Sequence, residues 1–239
     1  MAKNNTKKTA TGSDPKQVVV IGASAGGNKA ILRLAKQLHA DMNAAFFVVI
    51  HMNNAKAIKL FTERLQQATP LPCHIAVTDM PIQRGHIYTT PADSHMMIKK
   101  NKVLIGHGPP ENRYRPSIDI LFRSAAATWD SNVTGIILTG LLNDGVAGMN
   151  AIHRSGGACI VQDPDEAEYA DMPGAVLKII QPDYCIPINH MGEALETILK
   201  KPKSKTINGI PADIIAEANL AEKSVTRIND LDEIGDQSL

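Results

Sequence analysis

Short apolar runs alternate with helical patterns along most of this chain, and this alternation limits the folds available to it. The first run, VVVI at residues 18–21, leads into the turn GASAGG and then into apolar residues at helical spacing. The pattern is repeated at the run FFVVI, residues 46–50, and at the runs that begin at Val133 and Ala158. Repeated strand and helix units favour right-handed crossovers and a parallel sheet. We therefore predict a doubly wound α/β fold with a mostly parallel sheet flanked by helices.

Residues 75–105 break this alternation. Two short β-rich runs, HIYTTP and HMMIKKNKVLIG, lie there among turn-forming residues, which predicts an antiparallel hairpin at one edge of the sheet. A helix from Met191 to Lys200 is predicted to complete the core. We accordingly assign residues 1–16 to a disordered leader, 17–200 to one globular domain and 201–239 to a polar C-terminal extension with weak periodicity.

Composition excludes several classes of protein. The chain has 239 residues, a formal net charge of +1 and few aromatic residues, so we expect no nucleic-acid partner. Three cysteines without CxxC spacing indicate neither a disulfide framework nor a zinc site. His95 and His107 are predicted to be structural. We therefore expect no metal and no cofactor. No apolar run approaches the roughly 18 residues of a membrane span. We predict a cytoplasmic protein without membrane insertion, since the N-terminal residues also lack a signal-peptide centre.

The turn GASAGG holds one hydroxyl, Ser24, for which several roles are open. A dinucleotide site would need a glycine at that position and an acidic residue after the second strand, where the sequence has His51. Residues 22–26 spell GxSxG, but α/β-hydrolases place several strands before that motif. A serine between a strand and a helix N-terminus lies near backbone N–H donors, which suits a nucleophile. Alternatively, Ser24 caps the helix.

Two further residues favour a catalytic role for Ser24. His51 directly follows the second strand, and Asp144, in LTGLLNDG, lies just beyond the third buried strand. A lone histidine or an aspartate before glycine is commonly structural. The carboxyl ends of parallel strands share one edge of the sheet, however, and ligands bind there. A serine, an imidazole and a carboxylate can therefore converge, and these are the groups that nucleophilic catalysis requires.

Six ordered segments resemble the catalytic domain of the CheB family of bacterial chemotaxis protein-glutamate methylesterases. They are IGASAGGNKAI, IHMN, TTPADSHMMI, GPPENRYRPSIDILF, LTGLLNDGVAGM and DMPGAV, and they span roughly residues 16–200. The resemblance implies a single α/β domain, a serine hydrolase, with a triad of Ser24, His51 and Asp144. It implies hydrolysis of glutamyl methyl esters on chemoreceptors and, as in some members, deamidation of receptor glutamines. The implied partner is a methylated chemoreceptor or a similar coiled-coil signalling protein.

The chain departs from the family pattern at three places. Ile50 stands where the family has glutamine, and Leu141 and Leu142 stand where it has Met-Gly. Leucine has a steric cost if that backbone position requires a positive φ. The two-domain enzymes carry a receiver domain before the catalytic domain, and the short Lys-rich leader has no room for one, so we expect a stand-alone methylesterase. The alternative, favoured by Leu142, is a catalytically weakened relative that binds receptors or signalling proteins without turnover.

Four further residues are candidates for binding substrate. The backbone N–H groups of Ala25 and Leu141 are candidates for an oxyanion hole. Arg113 and Arg115, in ENRYRPS, could steer an acidic receptor helix or orient the product carboxylate. Exposed arginines in a polar loop are an equally good interpretation of this pair.

Overall fold

The computed structural model describes residues 14–99, 101–201 and 209–235, with side chains described as far as residue 226. Most of the predicted disordered leader, residues 1–13, lies outside the described residues. In the part of the chain that is described, no helix has the length and apolar character needed to cross a membrane.

The described residues form nine strands and seven helices. The strands are β1 (Gln17–Ala23), β2 (Ala44–Ile50), β3 (Cys73–Ile75), β4 (Ile87–Thr89), β5 (His95–Lys99), β6 (Lys102–Gly106), β7 (Val133–Ile137), β8 (Ala158–Gln162) and β9 (Tyr184–Ile186). The helices are α1 (Gly27–Ala35), α2 (Ala55–Ala68), α3 (Ile118–Trp129), α4 (Val146–Arg154), α5 (Asp171–Leu177), α6 (Met191–Lys200) and α7 (Ala212–Gly235). The predicted end of the last core helix at Lys200 is confirmed.

Seven strands form one parallel sheet in the order β3-β4-β2-β1-β7-β8-β9. Apolar side chains of α1, α2 and α6 cover one face of the sheet, and those of α3, α4 and α5 cover the other. Every residue of β1, β2 and β7 is buried, which explains why these strands read as continuous apolar runs. The predicted doubly wound, mostly parallel fold is confirmed.

The direction of winding reverses between β1 and β7. The chain builds the sheet outward from β1 through β2, and later returns to place β7 on the other side of β1. A crevice forms at such a reversal, outside the carboxyl ends of the two strands, and it is the usual ligand site of open α/β sheets. The sheet order therefore directs attention to the residues that follow β1 and β7.

The predicted antiparallel hairpin exists, but it contains only the second of the two β-rich runs. Strands β5 and β6 pair antiparallel as a separate two-stranded sheet. The run HIYTTP instead forms β4, which lies between β3 and β2 and pairs with both in parallel, so its assignment to an antiparallel region was wrong. All three residues of β4 are buried, and a strand covered on both faces lacks the alternation that marks its direction or its partner.

The C-terminal extension contains a helix that packs on the domain. Ile214, Ala218 and Val225 of α7 are buried, and Val225 lies so close to Gly106 that a side chain there would collide with it. Arg154 of α4 forms two hydrogen bonds, of 2.8 and 3.0 Å, to the carboxylate of Asp213. The three buried positions share one face of a helix, and they are too few to give this segment strong apolar periodicity.

Candidate active site

Three neighbouring strands, β2, β1 and β7, carry the three residues predicted to act together. Ser24 follows β1, His51 follows β2, and Asp144 lies in the loop between β7 and α4. Nδ1 of His51 is 3.0 Å from Oγ of Ser24, and Nε2 is 2.8 Å from Oδ2 of Asp144. The side chain of His51 is 8% exposed and that of Asp144 is fully buried. The structure thus brings the serine, the imidazole and the carboxylate into one hydrogen-bonded series.

The order of these contacts fixes the proton on the imidazole. An ionised carboxylate only accepts hydrogen bonds, so Nε2 carries the proton that it donates to Asp144. Nδ1 is then free to accept the hydroxyl proton of Ser24. This is the protonation state in which a histidine serves as a general base toward a serine.

Ser24 occupies a tight turn and does not cap the helix that follows. Helix α1 begins at Gly27, and its N-cap is Gly26, with φ of 75° and no side-chain cap. The N–H of Ser24 donates to the carbonyl of Thr139 at 3.0 Å, which ties the turn to the end of β7. A side chain at Gly140 would lie 2.9 Å from Cβ of Ser24 and 2.1 Å from Sδ of Met172. The small residues therefore let two loops approach each other at the serine.

Asp144 lies at the N-terminus of α3. Its Oδ1 accepts the hydroxyl of Ser117 at 3.0 Å and the N–H of Asp119 at 3.2 Å, and its Oδ2 accepts the N–H of Ile118 at 2.8 Å. Burial raises the pKa of Asp144, but the hydrogen bonds from His51 and from the backbone outweigh it and lower the pKa overall. The carboxylate consequently stays ionised although it is buried. Ser117 is the N-cap residue of α3, but its hydroxyl makes no cap bond.

A second buried acid, Asp119, lies directly behind Asp144. Its carboxylate is 1% exposed and accepts the N–H of Gly148 and the amide of Asn112, each at 2.7 Å. Burial and the negative charge of Asp144 raise the pKa of Asp119 to about 7. Sequence reasoning missed this residue because its importance comes from the loops that fold onto it.

Leu142 has the positive φ at which a leucine in place of the family's glycine has a steric cost. Its φ is 65° and its side chain is 49% exposed, so the backbone at this position does require a positive φ and the leucine gains little burial in return. Within the described part of the chain, no hydrogen bond uses the N–H of Ala25 or of Leu141. Ala25 adjoins Ser24, and Leu141 adjoins Gly140, where an added Cβ atom would lie 2.9 Å from Cβ of Ser24.

An open cleft of about 470 Å³ gives access to Ser24 and His51. Ile50 and Met52 line it beside His51, and Lys29 and Glu168 form its charged rim. Nζ of Lys29 is 3.4 Å from Oε2 of Glu168 and both side chains are well exposed, so this ion pair adds little stability. The cleft is therefore open to solvent beside Ser24 and His51.

The two candidate arginines occupy different environments. Nε of Arg115 donates to Asp93 at 2.8 Å, and its guanidinium also donates to the carbonyls of His107 and Gly108. Arg113 is exposed at the tip of a turn. Arg115 thus fastens a loop, whereas Arg113 is available to a partner.

Tyr114, between these arginines, was missed by the sequence analysis. Its ring stacks on the imidazole of His51, with ring centroids 3.7 Å apart and an interplanar angle of 8°. The segment ENRYRPS indicates a turn, but it does not indicate which residue the tyrosine contacts. The contact exists because a loop distant in sequence closes over the end of β2.

The two other histidines considered above have structural contacts. His95 is buried; its Nδ1 accepts the N–H of Ser117 at 3.2 Å and its Nε2 donates to the carbonyl of Pro109 at 3.1 Å. Nδ1 of His107 lies 3.0 Å from the carbonyl of Asp93. Among the described residues, no three His, Cys, Asp or Glu side chains are grouped so that they could hold a metal ion.

The fold and the site define a class: α/β proteins with a hydrogen-bonded serine, histidine and aspartate at the carboxyl edge of a doubly wound sheet. A sequence model of the family described as CheB methylesterase matches residues 19–195. The chain belongs to the CheB methylesterase family.

Relatives and a solved structure agree with this membership. A protein-glutamate methylesterase/protein-glutamine glutaminase of Hydrogenovibrio crunogenus is 30% identical over 190 residues, which are 77% of this chain and 50% of the relative. A second protein of that name, from Rhizobium johnstonii, is 33% identical over 78% of this chain and 51% of its own length. The crystal structure of the Thermotoga maritima CheB methylesterase catalytic domain superimposes with a TM-score of 0.72 at 27% identity, covering 76% of this chain and 98% of that one. The chain thus spans about half the length of these curated relatives.

Proposed function

We propose that this chain is a protein-glutamate methylesterase in which Ser24 is the nucleophile, His51 the general base and Asp144 the residue that orients His51. The observation that carries the proposal is the series of hydrogen bonds, 3.0 and 2.8 Å long, from Ser24 through His51 to Asp144. The names of the relatives support the same substrate chemistry. The alternative, a binding module without turnover, gains no support from a site in which all three groups are aligned.

The reaction follows from the positions of the protons. Nδ1 of His51 accepts the proton of Ser24 as Oγ attacks the ester carbonyl carbon, and Asp144 stabilises the imidazolium that forms. The C–O bond to the methoxy group then breaks, and His51 gives the proton to the departing oxygen, which leaves as methanol. Water attacks the glutamyl ester of Ser24 in the same way, and the products are free glutamate and the regenerated hydroxyl.

The N–H groups of Ala25 and Leu141 are proposed to stabilise the oxyanion of the tetrahedral intermediate. Each flanks the serine turn and neither is used in a hydrogen bond among the described residues. Loss of one such donor typically lowers the rate by roughly 100- to 1,000-fold. A glutamine side chain presents the same carbonyl with ammonia as the leaving group, so deamidation of receptor glutamines is proposed as a second activity.

The proposed substrate is a methylated coiled-coil receptor or a similar signalling protein in the cytoplasm. The cleft is open at the carboxyl edge of the sheet, so a side chain on a helix surface can reach Ser24 without unfolding. The net charge of +1 and the scarcity of aromatic residues support a protein partner and not a nucleic acid. We also propose that residues 17–200 form the catalytic domain and that the C-terminal extension is accessory to it.

The experiment uses a coiled-coil peptide that carries one glutamate γ-methyl ester, with the corresponding glutamine peptide as a second substrate. Release of methanol from the first reports esterase activity, and release of ammonia from the second reports deamidation. Ser24→Ala should lower methanol release by up to roughly a million-fold and leave the urea unfolding midpoint unchanged. Methanol release by Ser24→Ala at the parent rate would exclude this serine as the nucleophile.

A further inference from the structure

The stacked pair of Tyr114 and His51 has a geometry that ordinary surface packing does not require. The two rings are nearly parallel, at 8°, with centroids 3.7 Å apart. His51 lines the cleft, whereas Tyr114 is not among the described residues that line it. Tyr114 therefore contacts the imidazole from outside the lining of the cleft.

A tight turn sets the direction of the Tyr114 side chain. The N–H of Glu111 donates to the carbonyl of Tyr114 at 3.1 Å, and the N–H of Tyr114 donates back at 2.8 Å. The residues between them, Asn112 and Arg113, have φ of 50° and 74°. Positive φ at both central positions is the signature of a type I′ turn, which has little freedom to change shape.

Three side chains fasten this turn to the rest of the protein. Nη2 of Arg123, on α3, lies 2.6 Å from each carboxylate oxygen of Glu111. The amide of Asn112 donates to Asp119 at 2.7 Å, and Arg115 pairs with Asp93 at 2.8 Å. Both ends of the turn are held, so the tyrosine ring is fixed before any substrate arrives.

The hydrogen bonds of His51 leave one motion of its ring weakly restrained. The N–H and the lone pair of an imidazole point outward in the ring plane, so the hydrogen bonds to Asp144 and Ser24 resist sliding within that plane better than tilting out of it. A parallel ring in van der Waals contact blocks the tilt. Its face also attracts the positive charge that His51 acquires when it takes the proton of Ser24.

We propose that Tyr114 is a positioning residue that holds the imidazole of His51 in line with Ser24 and Asp144. The inference rests on the proposed hydrolytic function. It assigns the role to the aromatic face and not to the phenol hydroxyl. A flat side chain without the hydroxyl should therefore replace tyrosine, and an aliphatic side chain of similar bulk should not.

The experiment compares Tyr114→Phe and Tyr114→Leu with the parent protein. Misalignment of about 1 Å in a catalytic group lowers rates by up to roughly 100-fold, so we expect Tyr114→Leu to lower kcat about 10- to 100-fold with KM within about twofold. Tyr114→Phe should keep kcat within about twofold of the parent. Tyr184→Leu is the matched control, because it removes a half-buried ring from β9, three strands away from β1.

The rate at which an alkyl fluorophosphonate labels Ser24 is measured in parallel. Oγ of Ser24 bonds to phosphorus, fluoride leaves and His51 takes the proton, so labelling reports alignment of the base without any receptor substrate. A parent protein that is labelled but releases no methanol would contradict the proposed function, and the labelling rates would still test Tyr114. Equal labelling of Tyr114→Leu and the parent, or equal loss in Tyr114→Phe and Tyr114→Leu, would overturn the inference. If urea unfolding shows that Tyr114→Leu does not fold, Tyr114→Met takes its place under the same criteria.

Discussion

Oδ2 of Asp144, which contacts His51, also accepts the N–H of Ile118 at 2.8 Å, at the first residue of α3. The acid of the candidate triad thus also accepts a backbone N–H at the start of a core helix. Helix N-termini favour negative charge, which helps to keep this buried carboxylate ionised. The arrangement links the candidate triad to packing, because α3 cannot shift without moving the carboxylate that contacts His51.

Asp144→Asn should therefore damage turnover far more than stability. An asparagine can still accept a backbone N–H, but it favours the wrong imidazole tautomer, which costs up to about 10⁴ in rate in serine proteases. We expect kcat on the γ-methyl ester peptide to fall by a comparable factor, and the free energy of unfolding in urea to fall by about 1–3 kcal/mol, because the amide nitrogen leaves one buried backbone N–H without an acceptor. Ser117→Ala is the control: it removes one hydrogen bond from Oδ1 and leaves the contact with His51, so its loss of kcat should be much smaller. Equal losses in the two variants would contradict the tautomer argument.

Asp119 should make the folded state less stable as the pH rises. An unfolded aspartate loses its proton near pH 4, while burial and the charge of Asp144 keep Asp119 protonated in the folded state to about pH 7. Between these values the folded state binds the extra proton, so stability falls as pH increases. Asp119→Asn removes this effect. The free energy of unfolding of the variant, relative to that of the parent, should therefore rise by up to about 1.4 kcal/mol per pH unit across that window.

Urea unfolding of both proteins at pH values between 4 and 7 measures this difference, in which the contributions of groups that do not interact with Asp119 cancel. Asp213→Asn is a control whose difference from the parent should stay nearly flat between pH 4 and 7, because its unfolded pKa is near 4 and its folded pKa is lower. The hydrogen bond from Arg154 lowers the pKa of Asp213, so that carboxylate stabilises the folded state above its unfolded pKa and the effect is lost as pH falls. A flat difference for Asp119→Asn between pH 4 and 7 would show that the buried carboxyl is already ionised there.

Leu142→Gly should stabilise the protein. The left-handed conformation at φ of 65° costs a residue with a Cβ atom about 1 kcal/mol or more, and the half-exposed leucine recovers little of this by burial. We expect the free energy of unfolding in urea to rise by up to about 1 kcal/mol. Leu142→Ala retains the Cβ atom and should give no such gain. A gain in Leu142→Ala equal to that in Leu142→Gly would locate the cost in the exposed side chain and not in the backbone.

The parts of the site that sequence could predict are those fixed by strand order. Ser24, His51 and Asp144 each follow a strongly apolar run, and in a parallel sheet such positions share an edge. No contact between loops had to be known to expect them together. The steric cost at Leu142 was likewise visible from one residue that differs from the family pattern.

The parts that sequence could not predict depend on contacts between distant loops. Tyr114 and Asp119 lie in one segment with the N-cap residue Ser117, yet their contacts are with His51 and with Asp144, which lie far from them in the chain. The parallel pairing of β4 was hidden because burial on both faces removes the alternation of polar and apolar residues. Helix α7 was missed because few of its residues are buried.

Arg113 and Arg115 now separate into two predictions, because their surroundings differ. Arg113 is exposed, and within the described residues its side chain makes no hydrogen bond or ion pair, so it can attract an acidic face of a receptor helix. Arg115 bonds to Asp93 and to two backbone carbonyls, and it holds the turn that carries Tyr114. One arginine should act on association and the other on the catalytic geometry.

Arg113→Ala should weaken association with an acidic coiled-coil peptide at low ionic strength and have little effect at high ionic strength, because exposed charges are screened within about 10 Å at 0.1 M salt. Its turnover of a small uncharged ester should stay within about twofold of the parent, since alanine keeps the Cβ atom and hence the same backbone preference at φ of 74°. Arg115→Ala should instead lower turnover of both substrates at every ionic strength, because the loosened turn releases the ring that stacks on His51. Binding measured by fluorescence anisotropy and ester hydrolysis measured in the same buffers distinguish the two effects. If Arg113→Ala reduces hydrolysis of the small ester as much as association with the peptide, Arg113 acts on the catalytic site itself and the docking role is wrong.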